Sequence, residues 1–320
     1  MDCVPVLSAV GAVVIGILLL SLCREIILQF RLYLLPKFLK EKNPILEYGG
    51  KWAVITGGSD GIGKGYAIQL AKRGMNICVV SNFENNIVKD IQSHGVECMW
   101  IDVDLSASDV FDKIADKLNP IVHDVGILIN NVGIVQRKPQ AVVDQDEEFF
   151  RRIINVNITA TILMTNIVIK EMMKRDRGLI VNMGSLSSSI PLPFATMYTA
   201  TKSFIETYSV CLACELRMTK VRVKCVKPAF VNTKLIDGMP SLTQWFSNYL
   251  GLTFPDAQQF AESAVPTFTV DTPICYNGYW SHSLLRFVIP FSLLGPERLS
   301  EIVEWFRVII VREPIVKIAK

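Results

Sequence analysis

The chain has 320 residues, 50% of them hydrophobic, which supplies one large domain or two small ones with a buried core and excludes a disordered protein. Its 33 basic and 30 acidic residues leave a net charge of +3, too weak a field to mark nucleic acid as a partner. Eight scattered cysteines, mostly inside apolar runs, read as reduced thiols and not as a disulfide framework.

From Cys3 to Cys23 there are 21 residues without a charge, close to the roughly 20 that cross a bilayer as a helix. Residues 1–25 therefore read as a transmembrane anchor, with a buried core helix as the alternative. The start Met1-Asp2 lacks the basic n-region of a cleaved signal peptide. Arg24, Arg31, Lys37, Lys40 and Lys42 follow the span and predict that the rest of the chain stays on the cytosolic side. Residues 26–48 form a basic, still apolar, membrane-proximal linker suited to the membrane surface.

Beyond Gly49, short apolar runs alternate with helical segments, the pattern of an α/β domain with a doubly wound parallel sheet. Strands are predicted at 52–56, 76–81, 97–101, 125–130, 178–184 and 221–227. The first helix is expected to run to about Arg73 and end at Gly74. No internal linker divides the domain, taken as residues 49–320.

Gly57, Gly61 and Gly63, with Ser59, Asp60 and Ile62 between them, fall between the first strand and the first helix. Such a loop lets backbone approach a pyrophosphate at the helix N-terminus, so the domain reads as Rossmann-like. The second strand ends in Ser81, Asn82 and Phe83 with no acid to hold a ribose 2′-hydroxyl, and Lys64 is the nearest basic residue in sequence to the loop. That favours NADP(H) and leaves NAD(H) open. Asp104, after the third strand, reads either as a contact to the adenine edge or as a helix-capping or turn acid.

Tyr198 and Lys202 share a helical face, where an ammonium can favour the ionised form of a phenol. Tyr33 and Lys37 repeat the spacing but are interrupted by Pro36 and have no cofactor loop. Ser185 lies thirteen residues before the tyrosine, in a stretch where Ser187, Ser188 and Ser189 make serine commonplace. Cys211 and Cys214 form a C-x-x-C without a second pair or a histidine cluster, so they read as buried structural thiols and no metal site is expected. His282 reads as structural for the same reason.

With Thr56-Gly57 through Gly63, Asn130-Asn131-Val132-Gly133, Ser185, Tyr198 and Lys202 in this order, residues 50 to about 280 resemble the short-chain dehydrogenase/reductase family. Ile154-Asn155-Val156-Asn157 and Gly278-Tyr279-Trp280-Ser281-His282 are similar to its membrane-bound branch of very-long-chain 3-oxoacyl-CoA reductases and 17β-hydroxysteroid dehydrogenases. The resemblance implies a catalytic tetrad of Asn157, Ser185, Tyr198 and Lys202, with Tyr198 the acid and Ser185 orienting the carbonyl. It gives Lys202 the nicotinamide ribose and Asn157 a water leading from Lys202 to solvent. It further implies cofactor contacts from Gly57, Ser59, Asp60, Gly61, Ile62, Gly63, Asn82, Asp104, Asn131, Gly133, Pro228, Val231 and Thr233.

The chain departs from the pattern at Pro228-Ala229, where Pro-Gly is usual, and at Asn82, where the branch commonly has Arg. Its end, Lys317-Ile-Ala-Lys320, lacks a dilysine retention signal, so the endoplasmic reticulum is implied by resemblance alone. The sequon at Asn157-Ile158-Thr159 is expected to be silent on a cytosolic domain. Apolar residues within 234–262 suit a lid over a lipophilic substrate, or ordinary core or membrane contact. The apolar stretch Ser283 to Leu294 is too short to span a membrane and suits its surface. The expected protein is an NADPH-dependent reductase of a lipophilic ketone, a long-chain 3-oxoacyl-CoA first and a ketosteroid second, with the homodimer common in the family. Its rival is a catalytically silent cofactor-binding membrane protein, which would be expected to have lost Tyr198 or Lys202.

Overall fold

The computed structural model describes residues 4–38, 42–136, 139–236 and 254–283, with Arg298 and Glu301. Within them the apolar runs become β1 (Trp52–Thr56), β2 (Asn76–Ser81), β3 (Cys98–Asp102), β4 (Val125–Asn130), β5 (Gly178–Met183), β6 (Val221–Val226) and β7 (Cys275–Tyr276). They pair in parallel as one sheet, in the order β3-β2-β1-β4-β5-β6-β7. The helices are α1 (Val4–Gln29), α2 (Leu35–Phe38), α3 (Pro44–Tyr48), α4 (Gly61–Ala71), α5 (Ile87–Gln92), α6 (Phe111–Leu118), α7 (Glu147–Ile154), α8 (Ala160–Lys174), α9 (Thr196–Glu215) and α10 (Ala257–Ala264).

The strands read as continuous apolar runs because both faces of the sheet are covered. Successive residues point to opposite layers: Ala53, Ile55, Ile77 and Val79 enter one core, Val54, Cys78, Val80 and Leu128 the other. Tyr66 and Leu70 of α4 and Phe260 of α10 belong to the first core. Ile114 of α6, Met164 and Val168 of α8 and Leu212 of α9 belong to the second. Between β1 and β4 the strand order reverses direction, and the crevice beyond their carboxyl ends is where such sheets bind ligands.

The first domain helix stops at Ala71, ahead of the expected Arg73, and Gly74 lies past it with φ +84°. Cys211 and Cys214 correct an expectation, for both are exposed. The face of α9 turned to the sheet carries Leu212, which leaves its two flanking thiols outside.

At the N-terminus, Gly11–Leu34 is a 24-residue helical stretch long and apolar enough to cross a membrane, with Ile15 and Leu20 exposed along it. Glu147–Lys174 meets the same length criterion but is 44% buried and packs against the sheet. The segment expected to be a surface linker differs from that reading. After α1 the chain makes a π-helical turn, Phe30–Leu34, and Leu32, 2% exposed, enters the core of Tyr66, Phe260 and Phe268. Leu28 and Tyr33 pack against the same core, Leu28 one helical turn before Leu32. Asn43 then caps α3, its side chain accepting from the Ile45 N–H, and the buried Tyr48 hydroxyl donates to the Phe268 carbonyl. Residues 237–253 of the expected lid and the stretch beyond Ser283 lie outside the described residues.

Candidate active site

The glycine loop opens directly from β1. Gly57 (φ +62°) and Gly61 (φ +52°) occupy left-handed backbone. A Cβ on Gly63 would stand 2.2 Å from the Gly57 carbonyl oxygen and 2.5 Å from Asn131 Nδ2, so the loop closes on its own helix only with glycine there. Asp60 caps α4, its side chain accepting from the Gly61 N–H at 2.9 Å. Asn131 ties β4 to this loop, donating from Nδ2 to the carbonyls of Thr56 (3.0 Å) and Gly57 (3.1 Å).

A cavity of about 330 Å³ lies over the loop. Gly57, Ser59, Asp60, Gly61, Ile62, Asn82, Asp104, Asn131, Gly133, Tyr198, Lys202, Pro228 and Thr233 border it. Of the other residues read as cofactor contacts, Gly63 sits behind the loop. Val231 buries its side chain in the core instead, and its carbonyl accepts from Thr233 Oγ1 at 3.3 Å. The cradle suits a dinucleotide: a helix N-terminus faces it, glycines keep its floor low, and Ser59 Oγ is buried with no partner among the described residues.

At the far end, Ser81 Oγ donates to the Phe83 carbonyl at 2.8 Å, while Asn82 and Phe83 border the cavity. Asp104 combines both of its readings: it borders the cavity while Oδ1 accepts from the Ser106 N–H at 2.9 Å. Lys64 does not reach the cavity, for its Nζ lies 2.6 Å from Asp90 Oδ2. The basic residues that do border it are Arg152, Lys202 and Lys234, the last 2.7 Å from Asp60 Oδ2. No motif in the sequence singled out Arg152 or Lys234.

Ser185 extends from β5 and Tyr198 and Lys202 from the first turns of α9. Ser185 Oγ accepts from the Ser187 N–H at 3.2 Å and is hydrogen-bonded to the Tyr198 side chain. Lys202 is buried, with Nζ 5.8 Å from the centre of the Tyr198 ring, and donates to the Met183 carbonyl at 2.8 Å. Asn157 lies in a π-helical turn, Asn155–Thr159, that joins α7 to α8, an irregularity frequent at functional sites. Its Oδ1 accepts from the Ile134 N–H (2.8 Å), and Nδ2 donates to the Ile134 carbonyl and to Thr201 Oγ1 (both 3.0 Å). Asn155 turns elsewhere, donating to the Ser106 carbonyl. Gly133 sits between the two groups: a Cβ there would be 3.4 Å from Lys202 Nζ and 3.6 Å from Asn157 Oδ1.

Among the chain's own groups, burial raises the Tyr198 pKa and the Ser185 hydrogen bond only opposes it. Burial lowers the pKa of Lys202 itself to about 8, and its ammonium donates to the Met183 carbonyl while lying over the Tyr198 ring. His282, read as structural, braces the turn after β6. Its Nδ1 accepts from the Ala229 N–H at 3.3 Å, and Nε2 lies 3.0 Å from the Phe230 carbonyl, which it can reach only as a donor. Burial lowers its pKa to about 4, so the ring is neutral.

A dinucleotide cradle at the switch point of a parallel sheet, with a tyrosine and a buried lysine on the same cavity, defines an NAD(P)-dependent oxidoreductase. The sequence profile of the short chain dehydrogenases matches residues 51–241, and the chain belongs to that family. It is 36% identical over 244 residues to the very-long-chain 3-oxoacyl-CoA reductase of Mus musculus, covering 74% of this chain and 73% of the relative. It is 34% identical over 288 residues to the hydroxysteroid dehydrogenase-like protein 1 of Gallus gallus, covering 87% and 81%. Among solved structures, a metagenomic short-chain oxidoreductase in complex with NADP superposes with a TM-score of 0.53 at 28% identity, covering 56% of this chain and 82% of that one.

Proposed function

We propose that this protein is a membrane-anchored, NADPH-dependent reductase of a lipophilic ketone, with a long-chain 3-oxoacyl-CoA as substrate. The observation that carries the reading is Tyr198 and Lys202 side by side on the cavity wall, the lysine Nζ 5.8 Å from the tyrosine ring centre. The bound nicotinamide supplies the hydride. Tyr198 gives the substrate oxygen its proton, and Ser185 donates a hydrogen bond to the charge developing there. Asn157 ties the Ile134 backbone to the Thr201 side chain, one residue before Lys202, which keeps the lysine in reach of the cofactor ribose.

The reductase names of the relatives support the acyl-CoA substrate, and the absence of an acid at Asn82 supports NADPH over NADH. A hydroxysteroid substrate is the second reading, favoured by the name of the Gallus gallus relative. Residence in the endoplasmic reticulum membrane rests on the family resemblance, while the apolar span and the basic residues after it support an anchor with the catalytic domain on the cytosolic side. A homodimer is part of the same reading, supported by Phe204, Val210 and Met218 exposed on and just after α9. The test is NADPH consumption by purified protein across 3-oxoacyl-CoA and steroid ketones, repeated with NADH. Turnover of the acyl-CoA series is expected; cofactor binding without turnover of any ketone would establish the silent alternative.

A further inference from the structure

Ser185 and Tyr198 come from different elements, so something must hold the serine turn at a fixed distance from the tyrosine helix. After Ser185 the chain makes a short 3-10 turn, Leu186–Ser189, whose serines looked unremarkable in the sequence. Each of the last two is held by a charged side chain. Glu206, two turns along α9 from Tyr198, accepts through Oε2 from the Ser188 hydroxyl. That hydroxyl is also 2.7 Å from the Ser185 carbonyl, so its one proton is shared between the catalytic serine's backbone and the glutamate. Lys227, one residue past β6, donates from Nζ to both oxygens of Glu206 (2.7 and 2.8 Å) and to Ser189 Oγ (2.6 Å). Its stem lies under the residue before Ser185: a Cβ on Gly184 would be 3.1 Å from Lys227 Cγ.

The pair is not a solvated surface contact. The side chains are 9% (Lys227) and 27% (Glu206) exposed, and the ammonium engages both carboxylate oxygens, which restricts geometry as well as charge. We infer that Glu206 and Lys227 are positioning residues for catalysis, a clamp that locks the Ser185 turn onto the helix carrying Tyr198 and Lys202. The inference rests on the proposed reductase reading, in which both hydroxyls meet one substrate oxygen. Misplacing a reacting group by about 1 Å can cost on the order of 100-fold in rate, so a clamp that does not touch substrate can still govern kcat.

Removing one partner alone would strand a buried charge and endanger the fold, so the informative variant removes both. Glu206→Leu with Lys227→Met is expected to stay folded by circular dichroism and to bind NADPH with unchanged affinity by cofactor fluorescence. Its kcat on the ketone is expected to fall about 10- to 100-fold with little change in KM. Exchanging the charges, Glu206→Lys with Lys227→Glu, is expected to recover much of kcat. A folded double variant with wild-type kcat overturns the clamp, as does a loss of NADPH affinity that accounts for the whole defect. A wild-type chain that binds NADPH yet reduces no ketone overturns the reductase reading instead.

Discussion

Tyr198 sits under opposed influences, burial raising its pKa and Ser185 lowering it. In its proposed role of general acid Tyr198 must hold its proton, and the raised value keeps the phenol protonated through neutral pH and confines the loss to the alkaline side. Tyr198→Phe retains the ring but not the proton. NADPH oxidation is expected to fall about 10²- to 10⁴-fold while cofactor fluorescence still reports binding. His282 sets a pH dependence of stability with a definite sign. Folded, its pKa is about 4, against 6.5 for the free side chain, so between those values the unfolded chain binds more protons. Stability is therefore expected to fall as pH drops from 6.5 toward 4. Urea unfolding at pH 7 and pH 5 should show that slope in the wild type and a shallower one in His282→Gln. Tyr198 and Lys202 were legible because a four-residue spacing on a helix is a local pattern. The Glu206–Lys227 pair was not, because it exists only where α9 meets the end of β6.

Among the elements, most strands could be read because covering both faces of a parallel sheet makes them apolar runs, although β6 carries Arg222 and Lys224. β7 escaped, two residues being too few to show any period. Cys211 and Cys214 were misjudged because residue type carries no information about which face of α9 a side chain occupies. Both thiols are expected to react rapidly with a maleimide in the native protein, whereas Cys78 and Cys225, buried in the sheet, should react only on unfolding. Mass spectrometry after timed labelling checks this. Protection of the α9 pair at high protein concentration would put the seam of the proposed homodimer on that helix.

For the whole molecule, the join between anchor and domain is the least divisible part. Deleting residues 1–25 is expected to leave a folded domain, since the described residues from Gly11 to Cys23 are largely exposed. Deleting residues 1–38 also removes Leu28, Leu32 and Tyr33 from the core. Leu32→Ala alone is expected to cost about 2–5 kcal/mol. Denaturant unfolding of the three variants in mild detergent distinguishes them. Charge and hydropathy separate anchor, linker and domain, and those quantities do not show that Leu32 joins the core that holds Phe260 and Phe268.

On the proposed membrane-anchored reading, that continuity gives the domain a fixed height above the bilayer. A domain on a loose tether would sample many orientations and meet its ligand by a three-dimensional search. Here the last turn of the anchor is seated in the folded core, so tilting or lifting the domain requires moving the span itself. A lipid-borne substrate arriving by lateral diffusion would then meet the same side of the protein on every encounter, and detergent extraction would slow turnover without disturbing any residue at the cavity.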